Sequence, residues 1–322
     1  MESYSTSDYV SELFQFISDA HLENCRDYPR LMPTARYLFL AGDIGHVSSP
    51  VWREFMEYLH GQTVDGSSDG VGWHRIFYVL GNHEYYSNSK TMPVLKKAYQ
   101  EYLAELPRIT LLDRGEPVML YGVTGLDGCG KIAVLGATMW PQAEFSLVTQ
   151  INDFRRINLK SDPTNPASRT IAISPPAMNE LHLADREWLF GKLTDTLTTN
   201  PDIQKVIILS HFPLTRDGTS DPSYSGQKQA IKNYYANDYH QELMAIASEW
   251  FGADKNPANI ANAENAKKQI ISISGHTHFE YDFTWDGISY LNSGACGFHL
   301  PWGSDYSYRS KADPPQTPLR KS

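Results

Sequence analysis

The strongest constraint on how this chain can fold is a placement that recurs along it: short groups of metal-ligating residues, each at the end of an apolar run. The five groups are Asp19-Ala-His21, Gly42-Asp43, Gly81-Asn82-His83-Glu84, His211 and Gly275-His276-Thr277-His278. The runs before them, Phe14 to Ser18, Arg36 to Ala41, Arg75 to Leu80, Lys205 to Ser210 and Gln269 to Ser274, are rich in β-branched and aromatic residues and read as buried strands. Ile132 to Ala137 reads as a further strand without a ligand group. Any one group is weak, because a lone His or Asp at a strand end is usually a capping or surface residue. Taken jointly and in this order, they supply carboxylates, an amide oxygen and imidazoles, a ligand set suited to two adjacent transition-metal ions.

Helical patterns separate the strands. Pro50 to His60 starts behind Ser49 as N-cap, Val94 to Leu106 carries apolar residues at helical spacing, and Ala184 to Leu197 puts Trp188, Leu189 and Leu193 on one face. Gln241 to Phe251 is a fourth. Two hairpins are expected, Glu116 to Leu126 with Lys131 to Ala137, and Phe279 to Trp285 with Ile288 to Asn292 across Asp286-Gly287. This alternation predicts an α/β fold of two sheets face to face with helices outside, the ligands gathering where the strands end. Residues 1–302 read as one domain, and the polar, proline-rich segment 303–322 as a poorly ordered tail. Long Gly-, Pro-, Ser- and Asn-rich loops at 61–72, 141–176, 213–237 and 253–266 are expected to surround the site and set its selectivity.

Composition narrows the partners. A formal charge of −9 over 322 residues argues against a broad electropositive track for nucleic acid. No apolar run approaches the roughly 20 residues needed to span a bilayer, and Met1 to Asp8 is not a signal segment, so a soluble, cytoplasmic protein without a membrane partner is expected. Cys25, Cys129 and Cys296 are widely spaced and outside any CxxC pattern, so no disulfide framework is expected.

The chemistry follows from spacing. Asp19 and His21 are two apart on an extended segment and can share a face, as can His276 and His278, while Asp43 ends the next strand and can bridge two cations. Two close ions lower the pKa of water held between them and clamp a phosphoryl group for in-line displacement. His83, between Asn82 and Glu84, need not be a ligand. It is placed either to protonate a departing alkoxide or to hold a phosphate oxygen, with Glu84 orienting it. Arg155, Arg216 and Tyr224 are candidate substrate contacts, each with loop packing or a surface ion pair as its plainer reading.

The pattern Asp-x-His, Gly-Asp, Gly-Asn-His-Glu, His, Gly-His-x-His, running from Asp19 to His278, resembles the calcineurin-like metallophosphoesterase superfamily. The resemblance implies a four-layer α/β/β/α sandwich of two mixed sheets flanked by helices. It implies one ion, manganese, iron or zinc, on Asp19, His21, Asp43 and His278, and a second on Asp43, Asn82, His211 and His276. Asp43 would bridge them, and His83 would be the catalytic histidine. The segment Gly42-Asp43-Ile44-Gly45-His46 lacks the acidic residue that many relatives carry shortly after the bridging Asp. The expected activity is hydrolysis of a small phosphomonoester or phosphodiester. A cyclic-nucleotide phosphodiesterase or nuclease stays open as the alternative. A non-catalytic protein-binding scaffold ranks last, since every ligand position is filled.

Overall fold

Strands that are apolar on both faces must be covered on both, and that requirement sets the architecture. The structure is a computed structural model describing residues 13–64, 72–121, 131–162, 164–251 and 268–294, without the side chain of Tyr224. The expected tail and the loop at 253–266 lie outside the described residues. The first sheet holds β1 (Phe14–Ile17), β2 (Tyr37–Ala41), β3 (Arg75–Val79) and β4 (Ile109–Leu111) in that order. All its described pairings are parallel, where mixed pairing was expected.

The second sheet contains β5 (Val118–Leu120), β6 (Lys131–Ala137), β9 (Ile203–Ser210), β10 (Gln269–Ile273), β11 (Tyr281–Trp285) and β12 (Ile288–Asn292), ordered β11-β12-β10-β9-β6-β5. Its middle four strands are parallel and both edges antiparallel, the two edges being the expected hairpins. A separate small ribbon pairs β7 (Asn158–Lys160) with β8 (Thr170–Ala172) inside the segment read as a loop.

Side-chain alternation along the strands builds three apolar layers. On β2, Phe39 and Ala41 face the second sheet, packing with Phe14, Phe77, Ile207 and Ile271. Leu38 and Leu40 face the other way, against α1 (Pro50–Gly61) and α2 (Met92–Ala104) through Trp52, Phe55, Leu95 and Tyr99. The far side of the second sheet, Leu135, Val206 and Ile208, packs on α4 (Pro175–Thr199) and α6 (His240–Phe251) through Leu189, Leu193 and Leu243. Two short helices, α3 (Asp153–Arg156) and α5 (Gln229–Tyr235), lie in the long connections. The four expected layers are therefore present.

One helix is longer than its pattern. α4 begins at Pro175, not near Ala184, because Ser174 caps it by accepting from the Ala177 amide at 3.5 Å and the two prolines occupy the first turn, where their missing N–H groups cost nothing. The prolines that read as the end of a loop are the start of a helix. In the layer between the sheets, Phe39 stacks on Phe77 at 5.1 Å and meets Phe14 edge-on at 5.6 Å. Phe39→Ala is expected to cost about 3 to 5 kcal/mol in denaturant unfolding, as for other fully buried Phe truncations; a loss below about 1 kcal/mol would show that this layer does not hold the sheets together.

Candidate metal centre

Both sheets end on one rim. β1, β2 and β3 deliver Asp19, His21, Asp43 and Asn82, while β9 and β10 deliver His211, His276 and His278. The turns continue the parallel pairing past the strands: the Asp19 amide donates to the Gly42 carbonyl at 3.0 Å and the His21 amide to the Asp43 carbonyl at 2.9 Å. To turn side chains inward over so short a span, five of the candidate ligands take left-handed backbone: Asp19 (φ 53°), His21 (47°), Asp43 (52°), His276 (67°) and His278 (53°). Each such residue costs about 1 to 2 kcal/mol, a strain that persists only where the surroundings impose it.

Close approach explains the glycines. A Cβ on Gly81 would stand 2.2 Å from Asp43 Oδ1, and one on Gly42 would stand 2.5 Å from His211 Nδ1. Neither neighbour can yield without moving a candidate ligand.

Two groups of donors draw on both sheets, Asp19 and His21 with His278, and Asp43 with His211 and His276, and a third, His21 and Asp43 with His83, comes from the first sheet alone. His21 Nε2 lies 3.2 Å from His278 Nε2, and His278 Nε2 lies 3.3 Å from Asp19 Oδ1. His211 Nδ1 donates to the Ala41 carbonyl at 2.9 Å, which turns Nε2 toward Asn82 Oδ1 at 2.9 Å and Asp43 Oδ2 at 3.4 Å. Lone pairs converge there, and only a proton or a cation reconciles them. His276 Nε2 is buried and finds no hydrogen-bond partner. Burial, then the nearby His211 charge, holds its pKa well below the usual imidazole range, so it is a neutral base aimed into the cluster. The residues present thus fit divalent ions.

Charges within the cluster are strongly coupled. Burial opposes ionisation of Asp43, yet His211 and His83 outweigh it and hold the carboxyl well below its ordinary range. Burial likewise opposes the charged form of His211, and Asp43 outweighs it, pushing the pKa up to about 10. For His83 burial again resists, while Asp43 and Glu23 prevail and raise it to about 9.

His83 is not oriented by Glu84. Its Nδ1 pairs with Glu23 Oε1 at 3.1 Å, its ring stacks on Tyr86 at 4.2 Å, and its Nε2 faces Asp43 Oδ2 at 4.0 Å. Glu84 points the other way, fully buried beneath the turns. Its Oε1 accepts from the amides of Ile44 (2.8 Å) and Gly45 (3.3 Å) and from Tyr78 Oη (2.6 Å), and its Oε2 accepts from the amides of Asp43 (3.0 Å) and Gly81 (2.8 Å). The reason is helical geometry: in the single 3-10 turn His83–Tyr85, consecutive side chains diverge, so one faces the open rim and the next faces the core. Burial and the Asp43 charge push Glu84 up to about 8, with the Tyr78 hydroxyl opposing them.

Two residues that the sequence left without a role complete the centre. Glu23 lies two residues past His21, close enough to meet both His21 and His83. Asp153, buried in α3, accepts from Asn82 Nδ2 at 2.9 Å, Tyr86 Oη at 2.5 Å and Tyr234 Oη at 2.7 Å. With its amide nitrogen so engaged, Asn82 can present only its oxygen to His211 and the cluster. The substrate candidates divide. Arg216 lines the adjoining cleft, Arg155 is exposed and donates to the Thr149 carbonyl away from that cleft, and the Tyr224 side chain is outside the described residues.

Residues 13–280 match the family described as calcineurin-like phosphoesterase, a span that contains all five ligand groups. The chain belongs to that family. Metal dependence is a property of this phosphoesterase family, and the ligand groups above are its candidate sites in this member. The chain is similar to the uncharacterized protein L509 of Acanthamoeba polyphaga mimivirus, 23% identical over 301 residues that cover 86% of this chain and 88% of that one. Among solved structures, its fold is similar to that of phosphopantetheinyl hydrolase PptH from Mycobacterium tuberculosis: TM-score 0.52, 15% identity, 88% of this chain and 89% of that one. No described helix is long and apolar enough to cross a membrane.

The two glutamates separate by experiment. Glu84→Gln would turn an amide NH₂ toward backbone N–H donors whichever way it flips, and is expected to cost at least about 2 kcal/mol of stability. Glu23→Gln should leave the unfolding midpoint nearly unchanged while lowering turnover. A large stability loss on Glu23→Gln together with none on Glu84→Gln would reverse the assignment.

Proposed function

We propose that this chain hydrolyses phosphate esters of a small substrate at a dinuclear metal centre. One observation carries the reading above the others: His276, whose Nε2 is buried and finds no hydrogen-bond partner, stands with Asp43 and His211 in a cluster of donors drawn from both sheets. Asp19, His21 and His278 would hold one ion and Asn82, His211 and His276 the other, with Asp43 between them. Manganese, iron or zinc would suit these imidazole, carboxylate and amide donors. Bound there, such ions supply an activated water and neutralise the phosphoryl oxygens.

The protein's own groups do the rest. The Ala41 carbonyl fixes the tautomer of His211, and Asp153 fixes the amide of Asn82. The His276 amide donates to both oxygens of Asp19 at 3.0 Å, and the His83 amide donates to Asp43 Oδ1 at 2.9 Å, so the carboxylates are set before any substrate arrives. His83 pairs with a carboxylate at Nδ1, as His21 does, but its side chain is 29% exposed against 4% for His21, and its Nε2 lies 4.0 Å from Asp43 Oδ2, beside the candidate ligands. As a water oxygen adds to phosphorus and the ester P–O bond breaks, the departing alkoxide takes the proton held at His83 Nε2. Glu23 at Nδ1 keeps the ring oriented for that transfer.

Elemental analysis of the purified chain is expected to find two transition-metal ions per molecule. Asp43→Asn should lower both metal content and kcat/KM; full activity with one ion per chain would remove the dinuclear reading. Replacing His83 by Ala should reduce turnover by about 10²- to 10⁴-fold for alkyl esters and far less for p-nitrophenyl esters, whose leaving group needs no proton. Equal losses would assign His83 to holding phosphate instead. Chelation should abolish turnover, and manganese, iron or zinc should restore it to different extents.

A further inference from the structure

The segment after β9 builds a cavity of about 640 Å³ beside His276 and His278, a size typical of small-molecule sites. Residues 216–238 form most of its wall, and the metal-ligand turn supplies the remainder through His276, Thr277 and His278. The chemistry of that wall restricts what it can hold. Apart from Pro222, Ala236 and the ring of Tyr235, every lining side chain carries a hydrogen-bonding group, so a wholly apolar acyl or prenyl chain would strand those groups without partners.

A polyanionic group is disfavoured as well. The cations Arg216 and Lys232 face three carboxylates, Asp217, Asp221 and Asp238. Arg216 is already committed to Asp238 and Asn233, while Lys232 Nζ donates to the Ser225 carbonyl at 2.5 Å and keeps two further N–H groups for a ligand. What suits acceptors and donors interleaved on one wall is a set of hydroxyl groups, each of which donates once and accepts as well. Tyr235 adds a surface for a ring. It is 37% exposed, and its own ring lies 5.2 Å from that of His276 at 36°, so a group resting on it would sit next to the metal centre.

We infer that this cleft receives the non-reacting part of the substrate and that this part is a neutral, polyhydroxylated ring: the enzyme acts on phosphate esters of sugars or cyclic polyols. The inference deepens the phosphoesterase reading and rests on it. Asp217 and Asp221 accept from the ring hydroxyls, Lys232 donates to them, and Tyr235 covers one ring face.

The test compares hexose and inositol monophosphates with hexyl phosphate and with nucleoside diphosphates, on the metal-loaded full chain. The hexose or inositol esters should exceed both comparators in kcat/KM by about tenfold or more, and Tyr235→Ala should lower the hexose-to-hexyl ratio by about tenfold, the scale of one lost ring contact. Tyr235→Phe, which keeps the ring, should restore that ratio. Preference for hexyl phosphate or for the diphosphates, or a ratio indifferent to Tyr235→Ala, overturns the inference. Turnover of p-nitrophenyl phosphate checks the phosphoesterase reading separately. Calorimetric binding of inositol monophosphate reads the cleft without turnover: binding to the wild type that weakens in Tyr235→Ala supports the inference, and no binding to the wild type overturns it.

Discussion

Everything at the rim depends on one buried carboxylate. Glu84 gathers the amides of Asp43, Ile44 and Gly45 from the turn after β2 and that of Gly81 from the turn after β3, with Tyr78 closing the remaining position. Four backbone N–H groups that strand pairing leaves over thereby find an acceptor. The same bonds clamp two turns whose side chains, Asp43 and Asn82, must converge. A left-handed Asp43 could not hold its conformation without this support, because nothing in its own preference favours it.

Much of this was legible in the sequence, and what was not has definite causes. Parallel strands covered on both faces must be apolar throughout, so β1, β2, β3, β9 and β10 stood out as runs, and a ligand after each run could only lie on the rim. Helix α4 was shortened in the reading because Pro175 and Pro176 announce a loop as readily as a first helical turn. The pairing of Glu84 with His83 failed because adjacency along the chain says nothing about direction within a single turn of 3-10 helix. Glu23 and Asp153 went unassigned for a related reason: Glu23 also reaches His83, 60 residues on, and Asp153 reaches Asn82, 71 residues back, distances along the chain that no local pattern announces.

The αL residues and the crowded imidazoles describe a centre that the apo chain pays to maintain. Like-charged groups are held together, and His276 Nε2 is stripped of water with no partner. Ions binding only to the folded state would return this energy by linkage. Since two of the donor groups take members from both sheets, ions held there would act as rivets across the layer packed by Phe39, Phe77 and Ile271. Stability and chemistry would then be coupled through the same few atoms.

The cleft differs from the metal centre in how it is encoded. The ligands are scattered over the chain from Asp19 to His278, and each is locked to a strand end, so none can drift without disturbing a sheet. The cleft wall comes almost wholly from a single contiguous stretch between β9 and α6 that crosses no strand. Such a stretch is an exchangeable cassette. Descendants of one ancestral scaffold could trade it, lengthen it or rewrite it while the reacting atoms stayed in register, and their appetites would diverge far faster than their chemistry.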